Sequence, residues 1–328
     1  MRVALIGYGE VGQILAEDLR SSGHEVTAFD VKLGGDFAGR LREHAHRHGV
    51  TLTASHAAAV QGAELVISAV TASQTVAVAQ ACAPALRGTF FLDFNSASPG
   101  AKAEAATHVD GAGGRYVEGA VMTLISGYRI RVPLLLGGGH AAALLPILTA
   151  LGFSAQVASD RLGVASATKL CRSVMIKGLE AMLIESLTTA RHYGVEDAVI
   201  ASLQETHPGV DWQKQATYAF QRVIEHGRRR GEEMQEAART VRDAGLQPLS
   251  AAGTAQRDTW MADQGNAGVF GTRGNPGFAR SEDWRQEADR ILLAARSEPQ
   301  LLAEHADAFP SDARSDRTPT QRPSKDRA

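Results

Sequence analysis

The sequence RVALIGYGEVG, residues 2–12, joins a short apolar run to a glycine-rich turn, GYGEVG at residues 7–12. Apolar residues then recur at helical spacing as far as Leu19, and the pattern stops at Ser21. The order strand, glycine turn, helix is typical of the first unit of a doubly wound α/β sheet. The first glycine permits the tight turn, the second lets a pyrophosphate approach the backbone, and the third lets helix and strand pack closely. This stretch therefore predicts a dinucleotide-binding domain.

A carboxylate ends the next apolar run. The segment EVTAFD, residues 25–30, closes on Asp30, 18 residues beyond Gly12, where an acid can accept hydrogen bonds from an adenosine ribose. An acid there repels a 2′-phosphate, so NAD is favoured over NADP, although Lys32 offsets part of that repulsion and keeps NADP possible. The cofactor-binding residues predicted from these two segments are Gly7, Tyr8, Gly9, Glu10, Val11, Gly12 and Asp30.

The same alternation of apolar runs and helical segments continues along the first half of the chain. Further apolar runs occupy residues 64–70, 90–95, 116–121 and 133–138, and from about residue 162 helix-forming residues dominate. Continuous apolar runs favour strands covered by helices on both faces. We expect an α/β Rossmann-type NAD(P)-binding domain with a mostly parallel sheet over residues 1–160, an all-α domain over 161–296, and a disordered tail over 297–328.

The composition excludes several classes of function. The 328 residues carry a net charge of −2, so no excess of positive charge is available to neutralise nucleic-acid phosphates. No stretch approaches the run of about 20 apolar residues that crosses a bilayer. We therefore expect a cytoplasmic protein that acts on a small molecule. Cys82 and Cys171 lie far apart without a Cys/His cluster, so both thiols are expected to be reduced and buried.

Two charged segments allow more than one interpretation. EHAHRH, residues 43–48, contains three histidines, but on a helix only His44 and His48 share a face, and no carboxylate or cysteine nearby in the sequence completes a tetrahedral set. We therefore predict a solvated helix surface and no metal site. The three arginines at 228–230 form either a solvated face or a contact to an anionic substrate.

The first long helical segment, residues 163–194, has an apolar part and a polar part. Apolar side chains cover most of its circumference, which predicts burial on nearly all sides; they are Leu170, Val174, Met175, Leu179, Met182 and Leu183. The remaining arc is polar and contains Lys169, Arg172, Ser173, Lys177 and Glu180. Burial and neighbouring cations both lower the pKa of a lysine, which suits Lys169 to general acid/base chemistry.

Three motifs in this order resemble the β-hydroxyacid dehydrogenase family, which includes 6-phosphogluconate and 3-hydroxyisobutyrate dehydrogenases. After the glycine turn, DFNSASP at 93–99 is similar to the family's D-x-S-T-x-x-P, and GVASATK at 163–169 is similar to G-x-G-x-x-x-K. The resemblance implies an NAD(P)-dependent dehydrogenase or reductase that transfers hydride between the nicotinamide and a β-hydroxy acid or its keto form. It also implies that Lys169 is the catalytic acid/base and that Val70, Thr71 and Ser96 lie near the nicotinamide. The helical domain, residues 161–296, would then serve substrate binding and the formation of a homodimer.

Two departures from the family pattern concern the substrate. EGAVMTL at 118–124 stands where the family has D-A-P-V-S-G-G, and Ser173 stands where an asparagine follows the motif lysine. This version resembles a little-characterised subgroup with its own helical C-terminal domain. A guanidinium can bind a carboxylate or a phosphate with two parallel hydrogen bonds, which makes Arg172 a candidate anchor for an anionic substrate. The candidate substrate-binding residues are Ser96, Met122, Thr123, Arg172 and Ser173.

Two other functions fit the same motifs. Imine reductases resemble this scaffold, but the lysine position is typically another residue in them, so Lys169 favours alcohol chemistry. A nonenzymatic NAD(P)-binding sensor would account for the altered segment at Met122, whereas the retained lysine argues against it.

Overall fold

A computed structural model describes residues 1–278 and 281–297 of the chain. Its N-terminal part contains one eight-stranded sheet with the strand order β3-β2-β1-β4-β5-β6-β7-β8. The strands are β1 (Arg2–Ile6), β2 (Glu25–Phe29), β3 (Thr51–Leu52), β4 (Leu65–Ser68), β5 (Phe90–Asp93), β6 (Arg115–Val121), β7 (Leu134–Gly137) and β8 (Ala155–Ser159). The first six strands pair in parallel, β7 runs antiparallel to β6, and β8 is parallel to β7. The prediction of a mostly parallel Rossmann-type sheet is confirmed.

Twelve α-helices lie among the described residues. They are α1 (Glu10–Ser21), α2 (Ala38–His48), α3 (His56–Val60), α4 (Thr75–Cys82), α5 (Pro99–Gly111), α6 (Ile125–Tyr128), α7 (Ala141–Ala150), α8 (Val164–Tyr193), α9 (Glu196–Thr206), α10 (Trp212–Asp243), α11 (Leu249–Asn266) and α12 (Trp284–Ser297). No strand of the described residues follows β8, so the C-terminal part is helical, as predicted. The segment predicted to be a disordered tail lies, beyond Ser297, outside the described residues.

The sheet is covered on both faces, as its continuous apolar strands predict. One apolar cluster joins β1 and β5 to α1 and α7, with Leu5, Leu15 and Leu148 fully buried. The other cluster lies on the opposite face and includes Val66 and Phe91. Because both faces of the sheet are buried, the ends of its strands remain accessible. The glycine turn lies at one of these ends, directly after the carboxyl end of β1.

Glycines allow α10 and α11 to approach each other closely. A Cβ on Gly227 of α10 would lie 2.4 Å from the carbonyl oxygen of Asp258 on α11, and one on Gly231 would lie 2.5 Å from the hydroxyl of Thr259. Both contacts are shorter than van der Waals distance, so only glycine fits at this crossing. Glycine lowers helix propensity. The close packing against α11 therefore helps to keep α10 helical through residues 227–231.

The burial predicted for α8 is wrong in part. Leu170 and Leu183 are buried, but Met175 is 74% exposed and Met182 is 62% exposed. Part of the polar arc instead turns inward, because Lys177 and Glu180 meet oppositely charged side chains on α10, whereas Arg172 is exposed. Cys171 is also exposed, contrary to expectation, whereas Cys82 is buried.

Within the part of the chain that the structure describes, no helix combines the length and the apolar character needed to cross a bilayer.

Candidate cofactor and substrate cleft

A cleft of about 780 Å³ lies between the carboxyl ends of the parallel strands and the helices α8 and α10. It brings together nearly all the predicted site residues although they come from six separate segments of the chain. Tyr8 and Gly12 are the two that do not line it. Those that do are Gly7, Gly9, Glu10, Val11, Asp30, Val70, Thr71, Ser96, Met122, Thr123, Lys169, Arg172 and Ser173.

The glycine turn leaves room for a diphosphate. Gly7 has a φ of 95°, and a Cβ there would lie 2.3 Å from the carbonyl oxygen of Ala69. A Cβ on Gly12 would lie 2.1 Å from the carbonyl oxygen of Gly7, whereas one on Gly9 would meet nothing within 4 Å. Gly9 precedes α1, and no side chain of the described residues caps that helix. The first-turn N–H groups therefore remain available to an anion, and the loop fits a dinucleotide.

Asp30 supports the glycine turn as well as facing the cleft. Its Oδ2 accepts a hydrogen bond from the Tyr8 backbone N–H at 2.8 Å, and its Oδ1 accepts one from the Lys32 backbone N–H at 2.9 Å. A carboxylate oxygen can accept more than one hydrogen bond, so both oxygens keep capacity for ribose hydroxyls. The Tyr8 side chain points away from the cleft, and its hydroxyl lies 2.9 Å from Nδ1 of His44.

Buried polar contacts hold the loop that follows β5. Asp93 accepts a hydrogen bond from the Tyr116 hydroxyl at 2.6 Å and pairs with Lys102 at 3.0 Å. Asn95 accepts one from the Val70 N–H at 2.7 Å. These contacts fix the two loops that present Val70 and Ser96 to the cleft.

Lys169 lies at the floor of the cleft beside Ser96. Its ammonium group donates a hydrogen bond of 2.5 Å to the Ser96 hydroxyl oxygen. Burial lowers the pKa of Lys169 to about 8; Glu233 opposes this change, while Lys177, Lys102 and Arg229 add to it. Near neutral pH such an amine can both take up and release a proton.

Helix α10 supplies charges that the sequence did not assign to the site. Glu233 forms a close ion pair with Lys177, and Arg230 forms one with Glu180. Burial would raise the pKa of Glu233, but Lys177 and Lys169 lower it overall. The arginine run at 228–230 was the one sequence signal for this region; in it Arg229 and Arg230 line the cleft.

Glu118 positions the helix that carries Lys169. Helix α8 follows Gly163, which has a φ of 89° and cannot cap a helix with a side chain. The Glu118 carboxylate, from β6, instead accepts hydrogen bonds from the Ala165 N–H and the Ser166 hydroxyl, both at 2.9 Å. A Cβ on Gly137 would lie 2.2 Å from this carboxylate. Because its partners are distant in sequence, Glu118 could not be recognised as a cap beforehand.

Comparisons with known proteins agree with this geometry. The family described as NADP oxidoreductase, coenzyme F420-dependent, matches residues 2–96, and a domain of unknown function, DUF1932, matches residues 190–261. A conserved hypothetical protein from Sinorhizobium meliloti 1021 is 35% identical over 89% of this chain and 95% of its own, with a TM-score of 0.70.

More distant structures have the same fold. A conserved protein of unknown function, described as structurally similar to 3-hydroxyacid dehydrogenases, is 30% identical over 81% of this chain and 99% of its own, with a TM-score of 0.64. The Mycobacterium tuberculosis 3-hydroxyisobutyrate dehydrogenase is 16% identical over 88% of this chain and 98% of its own, with a TM-score of 0.67. Imine reductases have this fold too, at TM-scores of 0.50 to 0.51.

The fold and the cleft define an NAD(P)-binding oxidoreductase scaffold, homologous to NAD(P)-dependent dehydrogenases and reductases. The chain belongs to the same family as the Sinorhizobium meliloti protein and the conserved protein described as structurally similar to 3-hydroxyacid dehydrogenases. Its structural neighbours include 3-hydroxyisobutyrate dehydrogenases.

Proposed function

We propose that this protein transfers a hydride between the nicotinamide of NAD(P) and a β-hydroxy acid, or its keto form, with Lys169 as general acid/base. The observation that carries the proposal is the Lys169 ammonium at the floor of the cleft, hydrogen-bonded to Ser96 and with a pKa lowered to about 8. The fold supports a division into residues 1–160 for the cofactor and 161–296 for the substrate and for dimerisation.

Lys169 and the bound cofactor together account for the proton and the hydride that leave the alcohol substrate. In the oxidative direction the neutral amine of Lys169 takes the proton of the substrate hydroxyl, and in the reductive direction the ammonium returns it. Bound NAD(P)⁺ supplies the hydride acceptor. Ser96 holds the lysine through the hydrogen bond of 2.5 Å. The carbon loses one hydride and the oxygen one proton, so the product is the carbonyl compound.

Two arginines of the cleft that form no ion pair with the described residues favour an anionic substrate. Arg172, Arg222 and Arg229 line the cleft, and among the described residues neither Arg172 nor Arg222 forms an ion pair with a carboxylate. A guanidinium without a partner can bind a carboxylate or a phosphate through two hydrogen bonds. Arg172 lies on α8 three residues after Lys169, and both residues line the cleft. Met122 and Thr123 then contact the substrate at the rim.

The alternative activities predict different behaviour. An imine reductase would turn over C=N substrates in preference to keto acids, and a sensor would bind the dinucleotide without turnover. The basic Lys169 beside Ser96 favours alcohol chemistry, because an alcohol must lose its hydroxyl proton when it is oxidised.

A turnover panel tests the proposal. The chain is incubated with NAD⁺ or NADP⁺ and with 3-hydroxy acids of increasing size, and the absorbance of the reduced cofactor is followed; keto acids and imines are tested in the reductive direction. We expect turnover of 3-hydroxy acids that Lys169→Met removes while cofactor binding persists. Exposed Lys214 provides the control Lys214→Met. Cofactor binding without turnover of any substrate would favour the sensor.

Arg172 is tested on the same panel. Arg172→Met should raise KM for the acid more than it lowers kcat, because a substrate anchor contributes to binding throughout the reaction. Arg161, exposed and outside the cleft, gives the control Arg161→Met. Equal KM values in the two variants would remove Arg172 from the substrate site.

The exposed apolar face of α8 supports a homodimer. Met175, Leu179 and Met182 recur at helical spacing, and single chains rarely expose such a continuous apolar surface. A second copy of the chain would cover it. Sedimentation should show a dimer that Met182→Lys weakens. A wild-type chain that sediments as a monomer at micromolar concentration would contradict this part of the proposal.

A further inference from the structure

The helices α1 and α2 bring a carboxylate to two of the three clustered histidines. His44 and His48 lie one turn apart on α2, and Nε2 of His44 is 2.9 Å from Oε1 of Glu17 on α1. One ligand atom from each of Glu17, His44 and His48 lies within 4.8 Å of the others. His46 is exposed, on a different face of the helix. The carboxylate was missed in the sequence because it precedes His44 by 27 residues.

We propose that Glu17, His44 and His48 form a binding site for a divalent transition-metal ion, with Zn²⁺ as the best match. Two imidazoles and a carboxylate suit Zn²⁺, whereas Mg²⁺ and Ca²⁺ prefer oxygen ligands alone. Three protein ligands leave the fourth tetrahedral position to water. This site is separate from the cleft and does not depend on the proposed activity.

The surroundings of the three ligands have the second layer of contacts that metal sites require. Nδ1 of His44 lies 2.9 Å from the Tyr8 hydroxyl, and Arg129 holds the other oxygen of Glu17 at 2.7 Å. Such partners orient ligands and fix the histidine tautomer. Around the metal, His44 would coordinate through Nε2 and carry its proton on Nδ1, from which it would donate to the Tyr8 oxygen. The proton moves from one ring nitrogen to the other, and none needs to be lost.

The location connects the site to the cofactor loop. Tyr8 is the second residue of the glycine turn, and its backbone N–H donates to Asp30. Metal at the site would fix the Tyr8 side chain through His44 and hold α1 against α2. We therefore expect Zn²⁺ to raise the melting temperature of the protein, because a ligand that binds the folded state stabilises it.

Zn²⁺ titration of the full-length, untagged, chelator-treated chain tests the proposal. Calorimetry should show one Zn²⁺ per chain, and Co²⁺ should give the intense visible absorption of a tetrahedral site. The key variant is His48→Ala, because the His48 ring forms no side-chain hydrogen bond with the described residues and its loss should leave the fold intact. His46→Ala on the same helix is the matched control. Tyr8→Phe, which removes only the second-layer partner, should weaken binding about 10-fold or more.

The Zn²⁺ binding of the wild type and of the two histidine variants decides whether the site exists. One-to-one binding that is lost in His48→Ala and retained in His46→Ala supports the site. No stoichiometric Zn²⁺ binding, or an equal loss in His46→Ala and His48→Ala, would overturn it. Circular dichroism of each variant separates loss of the site from loss of the fold.

Discussion

The lowered pKa of Lys169 can be measured without knowledge of the substrate. Taking this pKa from 10.5 to about 8 raises the fraction of neutral amine near pH 7 by ~300-fold. Burial is the main cause, and Lys177, Lys102 and Arg229 act in the same direction. The folded chain should therefore present a reactive amine at a pH where a lysine in the unfolded chain is almost fully protonated.

Competitive acylation measures this difference. The folded chain receives a short pulse of acetic anhydride across a range of pH, and mass spectrometry then quantifies acetylation in the peptide that contains Lys169. The chain unfolded in guanidinium provides the matched control for the same peptide. We expect the midpoint for Lys169 near pH 8 in the folded chain and more than one pH unit higher in the unfolded chain. Equal midpoints in the folded and the unfolded chain would show that folding does not lower the pKa of Lys169.

A second variant separates the electrostatic causes. Glu233 raises the pKa of Lys169, so Glu233→Gln should move the folded midpoint below that of the wild type. Activity should follow the same titration once a substrate is known. Oxidation requires the neutral amine and should rise with pH to a plateau above about 8, whereas reduction requires the ammonium and should fall above about 8. An upward movement of the midpoint in Glu233→Gln would contradict the charge arrangement at the cleft floor.

Three further predictions concern the scaffold. Glu118→Ala should lower the free energy of unfolding by about 1.5–3 kcal/mol in urea titrations, because the Ala165 N–H and Ser166 hydroxyl lose a charged partner; an unchanged midpoint would show that the cap is dispensable. Gly227→Ala should lower the free energy of unfolding by about 1–3 kcal/mol, because its Cβ would lie 2.4 Å from the Asp258 carbonyl oxygen. Gly253→Ala on α11, where a Cβ would meet nothing within 4 Å, should raise it by about 0.5–1 kcal/mol. Similar effects at both glycines would contradict the close helix crossing. Asp30→Ala should weaken NAD relative to NADP in fluorescence titrations, since the carboxylate opposes a 2′-phosphate; an unchanged ratio would remove Asp30 from the ribose site.

Local patterns were sufficient to predict the nucleotide-binding half of the fold. The apolar runs and the glycine turn each depend on neighbouring residues, so β1, α1 and β2 follow from the sequence directly. Strand β3 has two residues, and β8 lies at the edge of the sheet with its three central side chains exposed, so neither carries a strong apolar signal. The antiparallel β7 could not be distinguished from a parallel strand, because the apolar run is the same in both.

Long-range contacts limited what could be predicted in the helical half and in the cleft. The periodicity of α8 revealed an apolar face and a polar face, but the direction of each depends on α10, which supplies Glu233 and Arg230. Glu118 and Glu17 acquire their roles only when distant segments meet. The position of Lys169 in the cleft was predictable because its motif is local, and Lys177 lies on the same helix. Glu233, Lys102 and Arg229, which also affect the pKa of Lys169, come from distant segments.

Isotope transfer tests the proposed activity most directly. The 3-hydroxy acid that the panel identifies is prepared with deuterium on the carbon that bears the hydroxyl group, and the reduced cofactor is analysed by mass spectrometry after incubation with the wild-type chain and with Lys169→Met. We predict one deuterium in the nicotinamide ring with the wild-type chain and no reduced cofactor with the variant. Reduced cofactor without deuterium, or equal transfer by Lys169→Met, would contradict hydride transfer assisted by Lys169.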